Sequence, residues 1–274
     1  MAIKKRILAI GDFHIGSTVG LWPGTFPVEG GGTYTVNVYQ EWLLQCWHSM
    51  RDEIVQMRPK PTIIIGGDSV QGTHDKDGQL VTSKTDIQAN AAFKLLESIR
   101  DAIGKKPFYM VRGTEWHEGK AAENVEQLAE RLGAKKDPAS GQSTWWEVYY
   151  DIGGPVIHFA HHIGKSSVAW YEATVPLRDL LMQVAELVRF FESQAPNVKM
   201  TVRFHRHRYV HVDVPPDLHA VVCPGWQLKT GFGYKVAHAM LPQIGYVIIE
   251  WDGKDLTVKP RLFSLPLIHV EKAT

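Results

Sequence analysis

Five short hydrophobic runs along the chain end directly before aspartate, glutamate or histidine residues. Each run has five or six residues, is rich in Ile, Val, Phe or Met, and is typical of a buried β-strand. We predict strands at residues 6–11, 62–67, 108–113, 156–160 and 200–204. The residues that follow these strands, in the same order, are Asp12 and His14, Asp68, Glu115 and His117, His161 and His162, and His205 and His207.

Between these runs, hydrophobic residues recur at helical spacing. In residues 38–57, one stripe holds Trp42, Cys46 and Met50. Similar stripes cover residues 86–103, 121–132 and a segment that begins near Pro176. The last stripe predicts a buried face formed by Leu177, Leu180, Leu181, Val184, Leu187, Val188 and Phe191. Strands that alternate with amphipathic helices indicate the α/β class.

After residue 207 the pattern changes to strands alone. We predict strands at residues 218–222, 244–251 and 256–263, and Asp252-Gly253 between the last two is a hairpin signal. The prediction is therefore two packed sheets flanked by helices, in a single domain over residues 1–274. Residues 21–35, which contain three consecutive glycines, are expected to form a long loop that borders the substrate site.

Composition excludes several classes of protein. With 44% hydrophobic and 22% charged residues, the chain is expected to fold as a globular protein rather than remain disordered. A net charge of +1 gives no overall field that would attract nucleic acid. The only two cysteines, Cys46 and Cys223, fit small core residues in a reducing compartment. We expect a cytoplasmic protein without a signal peptide, a membrane partner or a protein partner.

The positions of the acidic and histidine residues point to one site. Ligands of α/β proteins bind at the carboxyl ends of the strands, so residues that follow five different strands are expected to converge. Carboxylates and imidazoles together suit borderline divalent metals. The sequence therefore predicts a metal site assembled from segments some two hundred residues apart.

The order of these residues resembles that of the calcineurin-like metallophosphoesterases, whose motifs run Asp-x-His, Gly-Asp, Gly-Asn-His, a lone His and Gly-His-x-His. The matching segments are Asp12-Phe13-His14, Gly67-Asp68, His161 and His205-Arg206-His207. The resemblance covers roughly residues 6–210 and implies a four-layer αββα sandwich, with two mixed β-sheets flanked by helices. Phe204 departs from the motif, because it stands where the family has glycine.

The resemblance also implies a cofactor and a reaction. Two divalent metal ions are expected, with manganese the first candidate and iron, zinc, nickel, cobalt or magnesium as others. Asp12, His14 and His207 would bind one ion, His161 and His205 the other, and Asp68 would bridge both. The implied reaction is phosphoester hydrolysis by a hydroxide that bridges the ions.

The third motif is where the chain departs most from the family, because Gly113-Thr114-Glu115-Trp116-His117 replaces Gly-Asn-His. A Gly-Thr-x-x-His variant of this kind resembles phage-encoded and related bacterial members. Glu115 is expected to coordinate the second metal and His117 to act as general acid, together with Asp68 as a catalytic residue. Which of Thr114, Glu115 and His117 replaces the usual Asn ligand stays open. So does an alternative role for Glu115 as an exposed loop carboxylate.

Substrate contacts are predicted at Thr114, Trp116, His162 and His74, although His162 also competes with His161 as a ligand. Phosphodiesters or nucleotides are the favoured substrates. The alternatives are a nuclease of the DNA-repair type and a scaffold of the same fold without catalysis. The near-zero net charge argues against the nuclease, and the retained histidines argue against the scaffold.

Overall fold

The computed structural model describes residues 2–73, 78–164, 171–236 and 240–266, so the predicted substrate contact His74 lies outside the described residues. The strands are β1 (Lys5–Ile10), β2 (Phe26–Pro27), β3 (Thr33–Tyr34), β4 (Thr62–Ile65), β5 (Phe108–Val111), β6 (Thr144–Trp145), β7 (Glu147–Asp151), β8 (Val156–Ala160), β9 (Val198–Arg203), β10 (Val210–Val214), β11 (Leu218–Val222), β12 (Ile244–Trp251) and β13 (Leu256–Phe263). The helices are α1 (Val38–Gln56), α2 (Thr85–Ile103), α3 (Glu115–Glu118), α4 (Glu123–Arg131), α5 (Thr174–Phe191) and α6 (Gly231–Val236).

Two mixed sheets form the centre of the fold. The first has the order β13-β12-β1-β4-β5-β6, and β1, β4, β5 and β6 run parallel in it. The second has the order β10-β11-β9-β8-β7, with β8, β9 and β11 parallel and the two outer strands antiparallel. The predicted α/β class with two mixed sheets is confirmed.

The alternation of side chains along the strands explains the layers. In β1, Leu8 and Ile10 belong to the core that the first sheet shares with α1, α2 and α4, whereas Ile7 and Ala9 belong to the core between the sheets. Because successive side chains in a strand point to opposite faces, a strand buried on both faces is hydrophobic throughout. Helix α5 packs against β9 and β11, which adds the fourth layer.

The helices begin and end close to the predicted positions. Asn37 caps α1, since its side chain accepts hydrogen bonds from the backbone of Tyr39 and Gln40. For α5 the predicted buried face is wrong in part. Pro176, Leu180 and Leu187 are buried, but Leu181, Val188 and Phe191 are exposed.

The chain contains strands that the hydrophobic pattern did not predict. Strand β10 and most of β7 are exposed or half-buried, so they lack a continuous apolar run. Residues 21–35 are not simply a loop, because they contain the short β2–β3 ribbon, and Leu21 and Trp22 at their start are fully buried. None of the helices in the described ranges is long and apolar enough to cross a membrane.

Phe204 fills a space that two glycines leave between the sheets. Its ring is fully buried, and a Cβ atom added at Gly66 would collide with it. A Cβ at Gly11 would lie 3.1 Å from the Phe204 Cδ1 atom. The phenylalanine is therefore accommodated because a glycine directly follows each of the strands β1 and β4.

This packing predicts a double-mutant coupling. Phe204→Ala should lower the free energy of unfolding by about 3–5 kcal/mol through the cavity it leaves. Gly66→Ala should lower it by about 1–3 kcal/mol through overpacking. The double variant should lose less than the sum, because the new methyl group enters the vacated space. Urea denaturation measures all four proteins. The control is Gly32→Ala, at an exposed glycine with φ −78° where an added Cβ would have no contact under 3.6 Å. Strictly additive losses of free energy in the double variant would contradict this packing.

Candidate metal centre

The carboxyl ends of β1, β4, β5, β8 and β9 meet at one edge of the two sheets and bring the predicted residues together. Backbone hydrogen bonds join the first two loops, from Asp12 N to Gly67 O at 2.9 Å and from His14 N to Asp68 O at 3.0 Å. The second sheet joins the first through His205 N, which lies 3.1 Å from both carboxylate oxygens of Asp12.

Most of these residues adopt a backbone conformation that is rare outside glycine. The φ angles are 55° at Asp12, 46° at His14, 48° at Asp68, 73° at His205 and 53° at His207. Among the described non-glycine residues, only Ala122 and Glu192 share positive φ. The left-handed region costs about 1–2 kcal/mol for an ordinary residue, and such strain concentrates at functional sites.

One cluster is formed by Asp12, His14 and His207, and one potential ligand atom of each lies within 4.8 Å of the others. The Nε2 atoms of His14 and His207 are 3.0 Å apart. The Nε2 atom of His207 is 3.6 Å from Oδ1 of Asp12. This carboxylate and these two imidazoles are the three ligands expected for the first metal from the resemblance of the sequence motifs.

A second cluster is formed by Asp68, His161 and His205. Oδ2 of Asp68 is 3.2 Å from Nε2 of His161 and 3.9 Å from Nδ1 of His205. The same oxygen is 3.9 Å from Nε2 of His14, which belongs to the first cluster. Asp68 therefore lies between the two clusters, as a bridging ligand must.

Hydrogen bonds fix which nitrogen of each ring is available for a metal. His161 donates from Nδ1 to the Gly66 carbonyl oxygen at 2.6 Å, and its buried Nε2 has no hydrogen-bond partner. His14 uses Nδ1 on Gln71 Oε1 at 3.1 Å. The Gln227 amide donates to the same oxygen, which identifies Oε1 as an acceptor and His14 Nδ1 as a donor. In both rings Nδ1 is thus used by a hydrogen bond, and Nε2 is the nitrogen that faces the centre.

Burial controls the charges of the first cluster. It lowers the pKa of His14 well below its usual value and that of His207 to about 3, so both rings are neutral and able to bind metal. Burial also raises the pKa of Asp12 to about 7, although His161 and His205 oppose the shift.

The second cluster behaves differently. Burial alone would raise the pKa of Asp68, but its contacts with His161 and His205 outweigh burial and hold the pKa well below the usual range. Burial lowers the pKa of His161, whereas the Asp68 carboxylate outweighs it and raises the pKa to about 9. A proton and a divalent cation would therefore compete for the same His161 nitrogen.

The donor set fits a pair of borderline divalent cations. It offers four imidazoles and two carboxylates, with an orphaned buried nitrogen at His161 and two nitrogens of the first cluster facing each other at 3.0 Å. Two facing lone pairs repel unless a proton or cation lies between them. Mixed nitrogen and oxygen ligands suit manganese, iron, cobalt, nickel or zinc better than calcium.

The structure distributes the residues of the third motif differently from the sequence expectation. Thr114 donates to Asp68 Oδ1 from its backbone nitrogen at 2.7 Å and from Oγ1 at 3.0 Å, so it holds the candidate bridge. His117 is half-buried and clusters with His14 and Asp68. Glu115 is exposed and belongs to none of the clusters found among the described residues. The structure therefore brings His117, and not Glu115, to the centre.

Trp116 and His162 lie at the rim. The side chain of Trp116 is 49% exposed, and the His162 ring is 5.1 Å from the His161 ring and 5.9 Å from the His205 ring. Burial and the neighbouring His161 lower the pKa of His162. His162 is thus adjacent to the second cluster without belonging to it, whereas His161 is one of its members.

Two residues at the centre were not predicted from the sequence. Gln71 orients His14 through its side chain and His117 through its carbonyl oxygen, which accepts from His117 Nδ1 at 2.7 Å. Glu118 accepts hydrogen bonds from Ser69 N at 2.9 Å and Gly113 N at 2.7 Å, and burial raises its pKa to about 7. Gln71 closely follows a predicted strand end, which was a usable signal, whereas nothing in the sequence marked Glu118.

Comparisons with known proteins found similarity in solved structures alone. No protein-family model and no curated protein sequence matches the chain. A dimetal phosphatase from Danio rerio is 9% identical, with 95% of this chain and 97% of that chain covered and a TM-score of 0.48. A predicted phosphoesterase from Streptococcus pneumoniae is 10% identical, with coverage of 95% and 99% and a TM-score of 0.38. A Vps29 double mutant from Entamoeba histolytica is 11% identical, with coverage of 94% and 99% and a TM-score of 0.41. Likenesses this distant assign neither a family nor an activity.

The role of Gln71 predicts a change in metal affinity. Gln71→Met keeps the volume but removes the acceptor that fixes His14, so Mn²⁺ affinity should fall by roughly 10–100-fold. Isothermal titration calorimetry measures the change. Gln45→Met, at an exposed position on α1, is the matched control and should bind as the wild type does. Unchanged affinity in folded Gln71→Met would show that His14 needs no such orientation.

Proposed function

We propose that the protein is a phosphoesterase that depends on two divalent metal ions. The observation that carries the proposal is the pair of clusters, Asp12, His14 and His207 on one side and Asp68, His161 and His205 on the other, with an Asp68 oxygen within 3.9 Å of a nitrogen in each. A carboxylate between two sets of imidazoles suits a shared pair of cations.

The chemistry divides between the metals and the side chains. When bound, two such cations supply Lewis acidity that lowers the pKa of water and neutralises charge on a phosphoryl group. Thr114 fixes Asp68 by two hydrogen bonds to Oδ1, which leaves Oδ2 for the metals. Gln71 and Gly66 bind Nδ1 of His14 and of His161, so Nε2 of each ring is the nitrogen directed at the centre.

His117 is the proposed general acid. Its Nδ1 donates to Gln71 O, so the ring is held in one orientation beside His14, with ring centroids 4.4 Å apart. A half-buried imidazole next to the centre can protonate a leaving oxygen from its other nitrogen. The exposed Glu115 is better placed to meet solvent or substrate than a buried metal.

The favoured metal is manganese, and the favoured substrates are phosphodiesters or nucleotides. The exposed Trp116 supports this preference, because an aromatic face beside a phosphate site can stack a nucleobase. His162, which lies beside His205 at the rim, offers a polar contact to the same substrate.

Asp68→Asn should test the bridge. The asparagine oxygen can still accept from Thr114, but its amide group would then occupy the place of Oδ2 and would repel a cation. Turnover of a nitrophenyl phosphodiester with Mn²⁺ should fall at least about 100-fold, and metal content should fall below two ions per chain. The release of nitrophenolate measures turnover, and elemental analysis measures metal content.

Asp52→Asn makes the same chemical change at an exposed position on α1 and should keep full activity and metal content. Full turnover in folded Asp68→Asn would contradict the proposal. So would a wild-type protein that binds no metal after Mn²⁺ is added.

His117→Gln should separate an acid from a ligand. We expect kcat to fall roughly 100-fold or more for an alkyl phosphodiester, and much less for a nitrophenyl ester, whose leaving group needs no protonation. Metal content should stay at the wild-type value. His48→Gln, at an exposed position on α1, is the control. Equal losses on both substrates, or a loss of metal, would refute the assignment of general acid.

A further inference from the structure

A third cluster of metal-binding residue types lies on the hairpin of β10 and β11. It consists of His211, Asp213 and His219. In the antiparallel pairing Asp213 is opposite His219, and His211 is two residues before Asp213 on the same strand. Because residues two apart in a strand share a face, the three side chains stand together on one side of the sheet.

The spacing of the three ligand atoms matches that required by a small metal ion. Nε2 of His211 is 3.0 Å from Oδ1 of Asp213, and Nδ1 of His219 is 2.7 Å from the same oxygen. The two nitrogens are 3.4 Å apart. Ligand atoms at about 2.0–2.1 Å from a tetrahedral Zn²⁺ ion are about 3.3 Å from one another. Widening the shortest separation by about 0.6 Å, with smaller changes in the other two, would therefore convert the triad into three ligands.

We propose that His211, Asp213 and His219 form a separate binding site for one borderline transition-metal ion such as Zn²⁺. Two imidazoles and one carboxylate favour such ions over magnesium or calcium. The His211 and His219 side chains are only 20% and 18% exposed, while Asp213 is 69% exposed. The site is thus shielded on the histidine side and open to a water or an exchanging ion on the carboxylate side.

The local environment prepares the histidines for this role. The two rings are stacked, with centroids 5.6 Å apart and an interplanar angle of 27°, so each presents one nitrogen edge-on to Asp213.

The site is separate from the candidate metal centre. His219 pairs with Met200 in β9, five residues before His205, and a strand rises about 3.3 Å per residue, so His219 lies roughly 16 Å from His205 along the strand direction. Among the strands that the structure describes, β10 lies at the edge of its sheet. An ion held by both strands would cross-link this edge hairpin and oppose its fraying.

Equilibrium dialysis against Zn²⁺, followed by elemental analysis, tests the proposal on the full chain. His219→Gln should bind one Zn²⁺ fewer per chain than the wild type, whatever the metal centre itself retains, because only the difference between the two proteins is used. His48→Gln, which removes an exposed histidine elsewhere, should bind as many ions as the wild type.

Co²⁺ supplies a second readout, since its visible absorption reports tetrahedral ligands. The wild type should show a band that His219→Gln lacks, and Asp213→Asn, at the exposed member of the triad, should weaken it in a chain that keeps its fold. Phosphoesterase activity should be unaffected in both variants, which separates this site from the proposed function. Equal Zn²⁺ stoichiometry in wild type and folded His219→Gln would overturn the proposal and leave a hydrogen-bonded triad only.

Discussion

The ionised carboxylate of Asp68 is the group on which the rest of the centre depends. It is 1% exposed, and burying an unpaired charge is costly. The protein compensates on both oxygens, because Thr114 donates twice to Oδ1 while Oδ2 faces His161 and the nitrogens of both clusters. Glu118 supports the same arrangement by holding the backbone on either side of it, at Ser69 and Gly113. The proposed pair of divalent cations would be attracted by this buried negative charge.

The predictability of this fold follows from burial. Strands β1 and β4 are hydrophobic on both faces because each lies between two cores, so their ends and the residues after them could be placed from the sequence. Strand β10 alternates valine with His211 and Asp213, and none of its residues is fully buried, so no apolar run marks it. The third motif could not be resolved, because a single helical turn over Glu115–Glu118 decides that Glu118 points inward and Glu115 outward. Such a turn is too short for any periodicity.

Helix α5 shows why a correct pattern can still assign the wrong face. The surface of the second sheet beneath it is polar, with Arg203 bonded to the His158 ring and carbonyl oxygen and paired with Asp179 of the helix at 2.9 Å. Glu147 accepts from the other nitrogen of His158. Between the helix and the sheet, an ion-pair network replaces some of the apolar contacts. Leu181 and Val188 are therefore exposed. Helical spacing predicts which residues lie on one face of a helix. It does not predict how much apolar surface the sheet offers to that face.

The left-handed backbone at the candidate ligands restricts how the chain can evolve. At Asp12, Asp68 or His205, replacement by Asn or Gly preserves the turn while it deletes a charge or an imidazole, because these residues tolerate positive φ. Val or Ile would disturb the loop as well as the ligand. A homologue that lost the candidate ligands would therefore be expected to keep the fold if Asn or Gly replaced them at these positions. The backbone conformation at these positions thus allows the ligand side chains to be lost without loss of the fold.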